Sequence, residues 1–146
     1  MGELDRQLLA ERAMAVERHL ARVAARLPSR AADLHPASDA ADAVVLHLWQ
    51  AVQIVIDLAV AACLRFDLSA PQGYGDAFRR LQAAGLLEPE LADRLVRAAG
   101  FRNLVAHAYD TLDMARVHAA ATQGPADLRA FLAALERHLP PSVASS

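Results

Sequence analysis

Between about Ala40 and Phe66 the chain runs through Val44, Val45, Leu46, Leu48, Trp49, Val52, Ile54, Val55, Ile56, Leu58, Val60 and Leu64 with few interruptions. Wound as an α-helix at about 100° per residue, this run is apolar nearly all round, so lipid or protein has to cover most of it. A bilayer crossing would carry His47, Gln50, Gln53 and Asp57 into the hydrocarbon. A central Asp alone costs about 2.5–3.5 kcal/mol on insertion scales. The run is therefore expected to be the central helix of a bundle, with no membrane span. One small bundle covers only part of it, and the apolar remainder predicts a homodimer. The stripe His47, Gln50, Gln53 and Asp57 is expected either to satisfy buried neighbours or to face a site. Asp57 is the side chain best placed to orient a histidine or pair with an arginine there.

The rest of the chain supplies the other layers. Leu4, Leu8, Leu9, Val16, Leu20, Val23 and Leu27 recur at helical spacing from Glu3 to about Leu27. Pro28 to Pro36 ends that helix, and Ser38 or Asp39 can cap the central one. Asp76 can start a short helix that runs to Ala84 and stops at Gly85. Pro89 suits the first turn of a fourth helix reaching about Tyr109. Gly100 inside it, about 1 kcal/mol less favourable than Ala, predicts a kink or a close backbone approach. A helix from Asp113 to Ala121 and another from Pro125 to Leu139 complete an all-α fold of five or six helices. Residues 1–140 form one domain, and 141–146 are expected to be a disordered tail.

Composition narrows the function. There are 15 arginines, no lysine and 17 acidic residues, giving a formal net charge of −2. A general nucleic-acid coat is excluded, so any nucleic acid must meet a local patch, with Arg79, Arg80, Arg94, Arg97 and Arg102 as candidates. Arg79 and Arg80 read equally well as a solvated helix face. Cys63 is the only cysteine and sits in an apolar run. It is expected to be buried in a reducing compartment. The charged start Met-Gly-Glu-Leu-Asp-Arg lacks a signal-peptide core, so a cytoplasmic location is expected. His19, His35, His118 and His138 have no metal-ligand spacing with each other or with Cys63 and read as surface or capping residues. Neither a metal nor a cofactor is expected.

The chemistry concentrates in Phe101-Arg102-Asn103-Leu104-Val105-Ala106-His107-Ala108-Tyr109-Asp110. On a helical wheel Arg102, Asn103, Ala106, His107, Tyr109 and Asp110 share an arc about 160° wide. Leu104, Val105 and Ala108 form the opposite, core-facing stripe. Asn103 and His107, four apart, can hydrogen-bond, while Arg102 and Tyr109 are expected to stack two turns apart. Ala106 leaves room between them. An arginine that can hold two phosphate oxygens, beside a histidine that can exchange a proton near neutral pH, is a layout that can cradle a phosphate.

The run Phe101 to Asp113 resembles the signature of the HepT-like toxins of the HEPN superfamily, whose hallmark is Arg, four residues, His, one residue, Tyr. The likeness extends through Gln53 and Asp57, Phe78 to Leu81, and Leu112 and Asp113, while the N-terminal third matches only as generic helix. The resemblance implies a HEPN-type helical bundle and a metal-independent endoribonuclease site at Arg102 and His107. It also implies that a partner nucleotidyltransferase antitoxin modifies Tyr109. In that setting the 2′-OH of RNA attacks the adjacent phosphate, Arg102 steadies the charge, and Asn103 orients the imidazole or donates to the phosphate. One histidine per chain cannot readily serve as both acid and base, and a dimer through the second and fourth helices would bring two motifs to one cleft. The competing expectation is a non-catalytic HEPN binding module that presents substrate to a nucleotidyltransferase or is itself its target.

Overall fold

The structure, a computed structural model, describes residues 3–141. Among the described residues five α-helices make up the bundle: α1 (Arg6–Arg26), α2 (Asp39–Arg65), α3 (Tyr74–Ala83), α4 (Pro89–Ala108) and α5 (Met114–His138). Short 3-10 turns lie at Ala31–Asp33 and Tyr109–Thr111, and no strand occurs among the described residues. The part of the expected tail at 142–146 lies outside the described residues.

The apolar run becomes the axis of the bundle. α2 packs against each of the other four helices, and Val44, Leu48, Ala51, Val55, Ile56, Ala59 and Ala62 are all buried. By length and composition this helix could cross a membrane, yet its buried residues line a protein core. Ser38 caps it by accepting from the Ala41 N–H at 3.1 Å, a contact that stabilises a helix start by about 1 kcal/mol. At the other end Asp67 turns the chain with φ +58°, while the Leu68 N–H closes back onto the Cys63 carbonyl at 2.8 Å. Coverage is incomplete: Leu46 and Leu64 remain 49% and 63% exposed on the single chain.

α1 begins at an Asp5 cap and lays Leu9, Val16, Leu20 and Val23 onto α2 and α5. Arg6 donates to the carbonyls of Glu136 and Leu139 at 3.0 and 3.2 Å, satisfying the end of α5 and bringing the first and last helices together. α3 starts at Tyr74, two residues before the expected cap. Asp76 sits in its first turn, accepting from the Gln72 N–H at 2.8 Å. Gly85, at φ +82°, ends the segment as expected. Phe78 of α3 and Phe131 of α5 meet edge to face at 5.6 Å in the core.

Two expectations about the helices are corrected. The segment expected to hold two helices forms one, Met114–His138, capped by Asp113 and with Pro125 inside it. An interior proline costs about 3 kcal/mol. Val117, Ala121, Leu128, Phe131, Leu132 and Leu135 are buried along that helix, and each large side chain contributes about 1.5–3 kcal/mol. Burial outweighs the proline. Gly100 marks no close backbone approach: α4 runs through it, and a Cβ there would have no neighbour within 4 Å.

Candidate functional site

α4 buries Leu91, Ala92, Leu95, Ala99 and Val105, which turns Arg102 toward the side of α2 and the start of α3. The guanidinium lies between two rings, with Cζ 5.4 Å from the Trp49 centroid and 5.2 Å from that of Tyr74. Both distances are within cation–π range. Arg102 Nε donates to Gln53 Oε1 at 2.6 Å, and Nη1 donates to Asn103 Oδ1 at 3.2 Å. Gln53 Nε2 in turn donates to Asp57 Oδ1 at 3.0 Å. Trp49, Gln53 and Asp57 are four residues apart and share one face of α2.

Asp57 was expected to meet Arg102 or the histidine directly, or else to satisfy a buried neighbour. It is exposed and reaches Arg102 only through Gln53. The stripe also divides: Gln53 faces α4, whereas His47 turns to α1, where its Nδ1 lies 3.0 Å from His19 Nδ1. The expected stacking of Arg102 on Tyr109 is replaced by Trp49 and Tyr74. Asn103 is occupied by its neighbour Arg102 instead of His107. His107 projects into solvent, as does Ala106 beside it. Leu104, assigned to the core stripe, is 39% exposed. The wheel placed it at the margin of that stripe, and no helix packs there in the single chain.

Tyr109 departs from the wheel because α4 stops one residue earlier. Ala108 adopts φ −143° and ψ 40°, and the following 3-10 turn swings the phenol toward the start of α2. There its hydroxyl donates to Asp42 Oδ1 at 2.6 Å. Hydrogen bonding to that carboxylate, then burial and the charges of Asp42 and Asp110, push its pKa up to about 12. The ring remains 46% exposed. Beside Tyr109 and Asp42, the side chains of Val45, Leu46, Trp49, Val105 and Ala106 line a shallow, mostly apolar cavity of about 410 Å³.

Most of the expected arginine patch is neutralised. Arg79 pairs with Asp93 at 2.6 Å, Arg80 with Asp76 at 2.7 Å and Arg94 with Asp127 at 2.7 Å. Among the described residues, Arg97 and Arg102 have no carboxylate within ion-pair distance. No cluster of three metal-ligating side chains occurs among the described residues. Cys63 is buried against the Ala77 carbonyl, and burial pushes its thiol pKa up. His118 bonds the Pro28 carbonyl at 2.7 Å, a capping role like the one expected.

Sequence reasoning missed Trp49, Tyr74, Asp42 and the direct contact of Gln53. Trp49 was detectable as the residue four before Gln53 on the same helical face. Tyr74 and Asp42 carried no local signal, because they meet the motif only when α3 and the start of α2 are docked against α4.

The family model described as "Ribonuclease HepT-like" matches residues 10–135. An mRNA nuclease HepT from Shewanella oneidensis is 32% identical over 73 residues. Those residues make up 50% of this chain, and the chain spans about half of that relative's length, 55%. Among solved structures, the tri-AMPylated Shewanella oneidensis HEPN toxin in complex with its MNT antitoxin superposes with a TM-score of 0.79 at 22% identity, covering 88% of this chain and 96% of that one. A toxin–antitoxin complex with AMP-PNP superposes with a TM-score of 0.81 at 20% identity, covering 90% and 99%. At these identities the likeness establishes a shared fold.

Proposed function

This chain belongs to the HepT-like ribonuclease family, and from that premise we propose that it is the RNA-cleaving toxin of a toxin–antitoxin pair whose antitoxin is a nucleotidyltransferase. The observation that carries this reading is the held guanidinium of Arg102, five residues before an exposed His107 on the same helix. A planar cation fixed at Nε, with Nη2 making no hydrogen bond to a described residue, suits two phosphate oxygens. The relative named as an mRNA nuclease and the neighbours in complex with an MNT antitoxin support the same reading.

The reaction follows from these groups without a metal. A ribose 2′-oxygen attacks the adjacent phosphorus, its proton passes to an imidazole, and the P–O5′ bond breaks to leave a 2′,3′-cyclic phosphate. Arg102 neutralises the charge that grows on the equatorial oxygens, with Asn103 as the side chain that steadies it on α4. The leaving 5′-oxygen needs a proton in the same step. A second His107, from a second copy of the chain facing the first across α2 and α4, supplies it. The exposed Leu46 and Leu104 beside the motif support that pairing.

Tyr109 is the residue on which the partner transferase would act. Its half-exposed phenol borders the cavity that Trp49 also lines, the ring on which the Arg102 guanidinium rests, and an attached adenylate would add negative charge and bulk there. The alternative, a binding module without catalysis, draws on His107, whose ring makes no hydrogen bond to any described residue in the single chain.

The deciding experiment incubates purified protein with single-stranded RNA in excess chelator. Cyclic phosphate ends are expected, with His107→Ala and Arg102→Ala each slower by about two to four orders of magnitude. Full activity in His107→Ala refutes the catalytic role of His107, and wild-type protein that leaves the RNA intact refutes the ribonuclease reading and leaves the binding module. Co-expression with a nucleotidyltransferase encoded beside this chain should add adenylate mass to wild type and none to Tyr109→Phe.

A further inference from the structure

We propose that Gln53 and Asp57 are positioning residues for Arg102, fixing its guanidinium so that the Nη edge is the face offered to a phosphate. The proposal rests on the ribonuclease reading for its consequence in catalysis, and on geometry alone for the orientation itself. Arg102 Nε is occupied by Gln53 Oε1 at 2.6 Å. A guanidinium can grip a phosphate side-on through Nε and Nη2 or end-on through the two Nη groups. With Nε occupied, the end-on grip remains: Nη2 makes no hydrogen bond to a described residue, and Nη1 donates one of its two N–H groups to Asn103 Oδ1 at 3.2 Å, which leaves the other for the phosphate. Trp49 and Tyr74 lie within cation–π distance of the same guanidinium and oppose its rotation about the side-chain axis.

Asp57 determines which way the Gln53 amide faces. A primary amide presents an acceptor oxygen on one side and two N–H donors on the other, whereas an ionised carboxylate only accepts and a guanidinium only donates. Gln53 Nε2 donates to Asp57 Oδ1 at 3.0 Å, which leaves Oε1 toward Arg102. The flipped amide would set oxygen against carboxylate and N–H against N–H, two repulsive contacts in place of two bonds. This gives a physical role to a Gln and an Asp four residues apart on one face of α2, neither of which touches the reacting atoms.

The test uses Trp49, the only tryptophan in the chain, as a reporter of the guanidinium beside it. Gln53→Met preserves length and removes the acceptor. Its Trp49 emission should shift toward that of Arg102→Ala, while kcat on single-stranded RNA falls about 10- to 100-fold and KM stays within about threefold, because the rest of the strand still binds. Asp57→Asn retains an acceptor oxygen and should behave as wild type. Asp57→Leu removes it and should move both readouts in the direction of Gln53→Met. Thermal unfolding of each variant establishes that it is folded. Wild-type emission and wild-type kcat in Gln53→Met overturn the proposal, and so does equal behaviour of Asp57→Asn and Asp57→Leu. If wild-type protein cleaves no RNA, the ribonuclease reading fails separately, and Trp49 emission still decides whether Gln53 holds the guanidinium.

Discussion

Tyr109 and Asp42, 67 residues apart in sequence, share a 2.6 Å hydrogen bond that ties the turn after α4 to the first turn of α2. The phenol donates and the carboxylate accepts, so the neutral phenol is favoured and its pKa is pushed from 10 up to about 12. A folded-state pKa raised above the unfolded one means that this contribution is present below about pH 10 and is lost as pH rises through about 12.

Asp42→Asn should therefore bring the Tyr109 ionisation back toward its ordinary value in an ultraviolet titration of phenolate absorption. Tyr109→Phe identifies the step by abolishing it. An ionisation near 12 that survives Asp42→Asn would place the cause elsewhere.

The pair His19 and His47 predicts acid sensitivity. Their Nδ1 atoms are 3.0 Å apart and their rings stack at 5.3 Å, so one ring must donate and the other accept. Burial comes first in lowering both pKa values from 6.5, followed by positive neighbours: His47, Arg22 and Arg18 for His19, and Arg22 and Arg26 for His47. Depressed values in the folded state mean that the stability is present above 6.5 and is lost as pH falls through the folded values. Urea unfolding measured from about pH 7 to pH 5 should show stability falling, with a shallower fall in His47→Gln. An unchanged pH slope in that variant would refute the assignment.

A dimer is expected from the apolar surface left around the motif, where Leu46 is 49% and Leu104 39% exposed. Sedimentation should give about twice the chain mass. Leu46→Asp, on the solvent side of α2, should return the protein to a monomer without unfolding it and abolish cleavage. A monomeric wild type that still cleaves RNA would remove the two-motif cleft.

Pro125 gives a stability prediction. Pro125→Ala restores the N–H toward the Ala121 carbonyl in an uninterrupted helix. Relieving about 3 kcal/mol of helix-interior cost, less about 1 kcal/mol of added unfolded-chain entropy, should raise stability by roughly 2 kcal/mol, read as a higher urea midpoint. A lower midpoint would mean that the ring packs favourably where it is.

The central helix was legible because periodicity needs no partner: Val44, Leu48, Val52 and Val55 cannot be exposed together, whatever surrounds them. The caps at Ser38 and Gly85 were equally local. The proline rule failed at Pro125, where burial of Phe131 and Leu128 on distant neighbours outweighs a local penalty.

At the site, the sequence alone determined that Arg102, Asn103 and His107 lie within two turns of one helix, because 3.6 residues per turn fixes their spacing before any packing occurs. It also placed Gln53 and Asp57 on one face of another helix. Which of those groups touch was decided only by tertiary structure. Docking α2 and α3 against α4 set Trp49, Tyr74 and Gln53 around Arg102, and ending α4 at Ala108 sent Tyr109 to Asp42. A helical wheel gives direction around one axis, whereas a hydrogen bond depends on the distance and rotation between two axes, and only the packed core sets those.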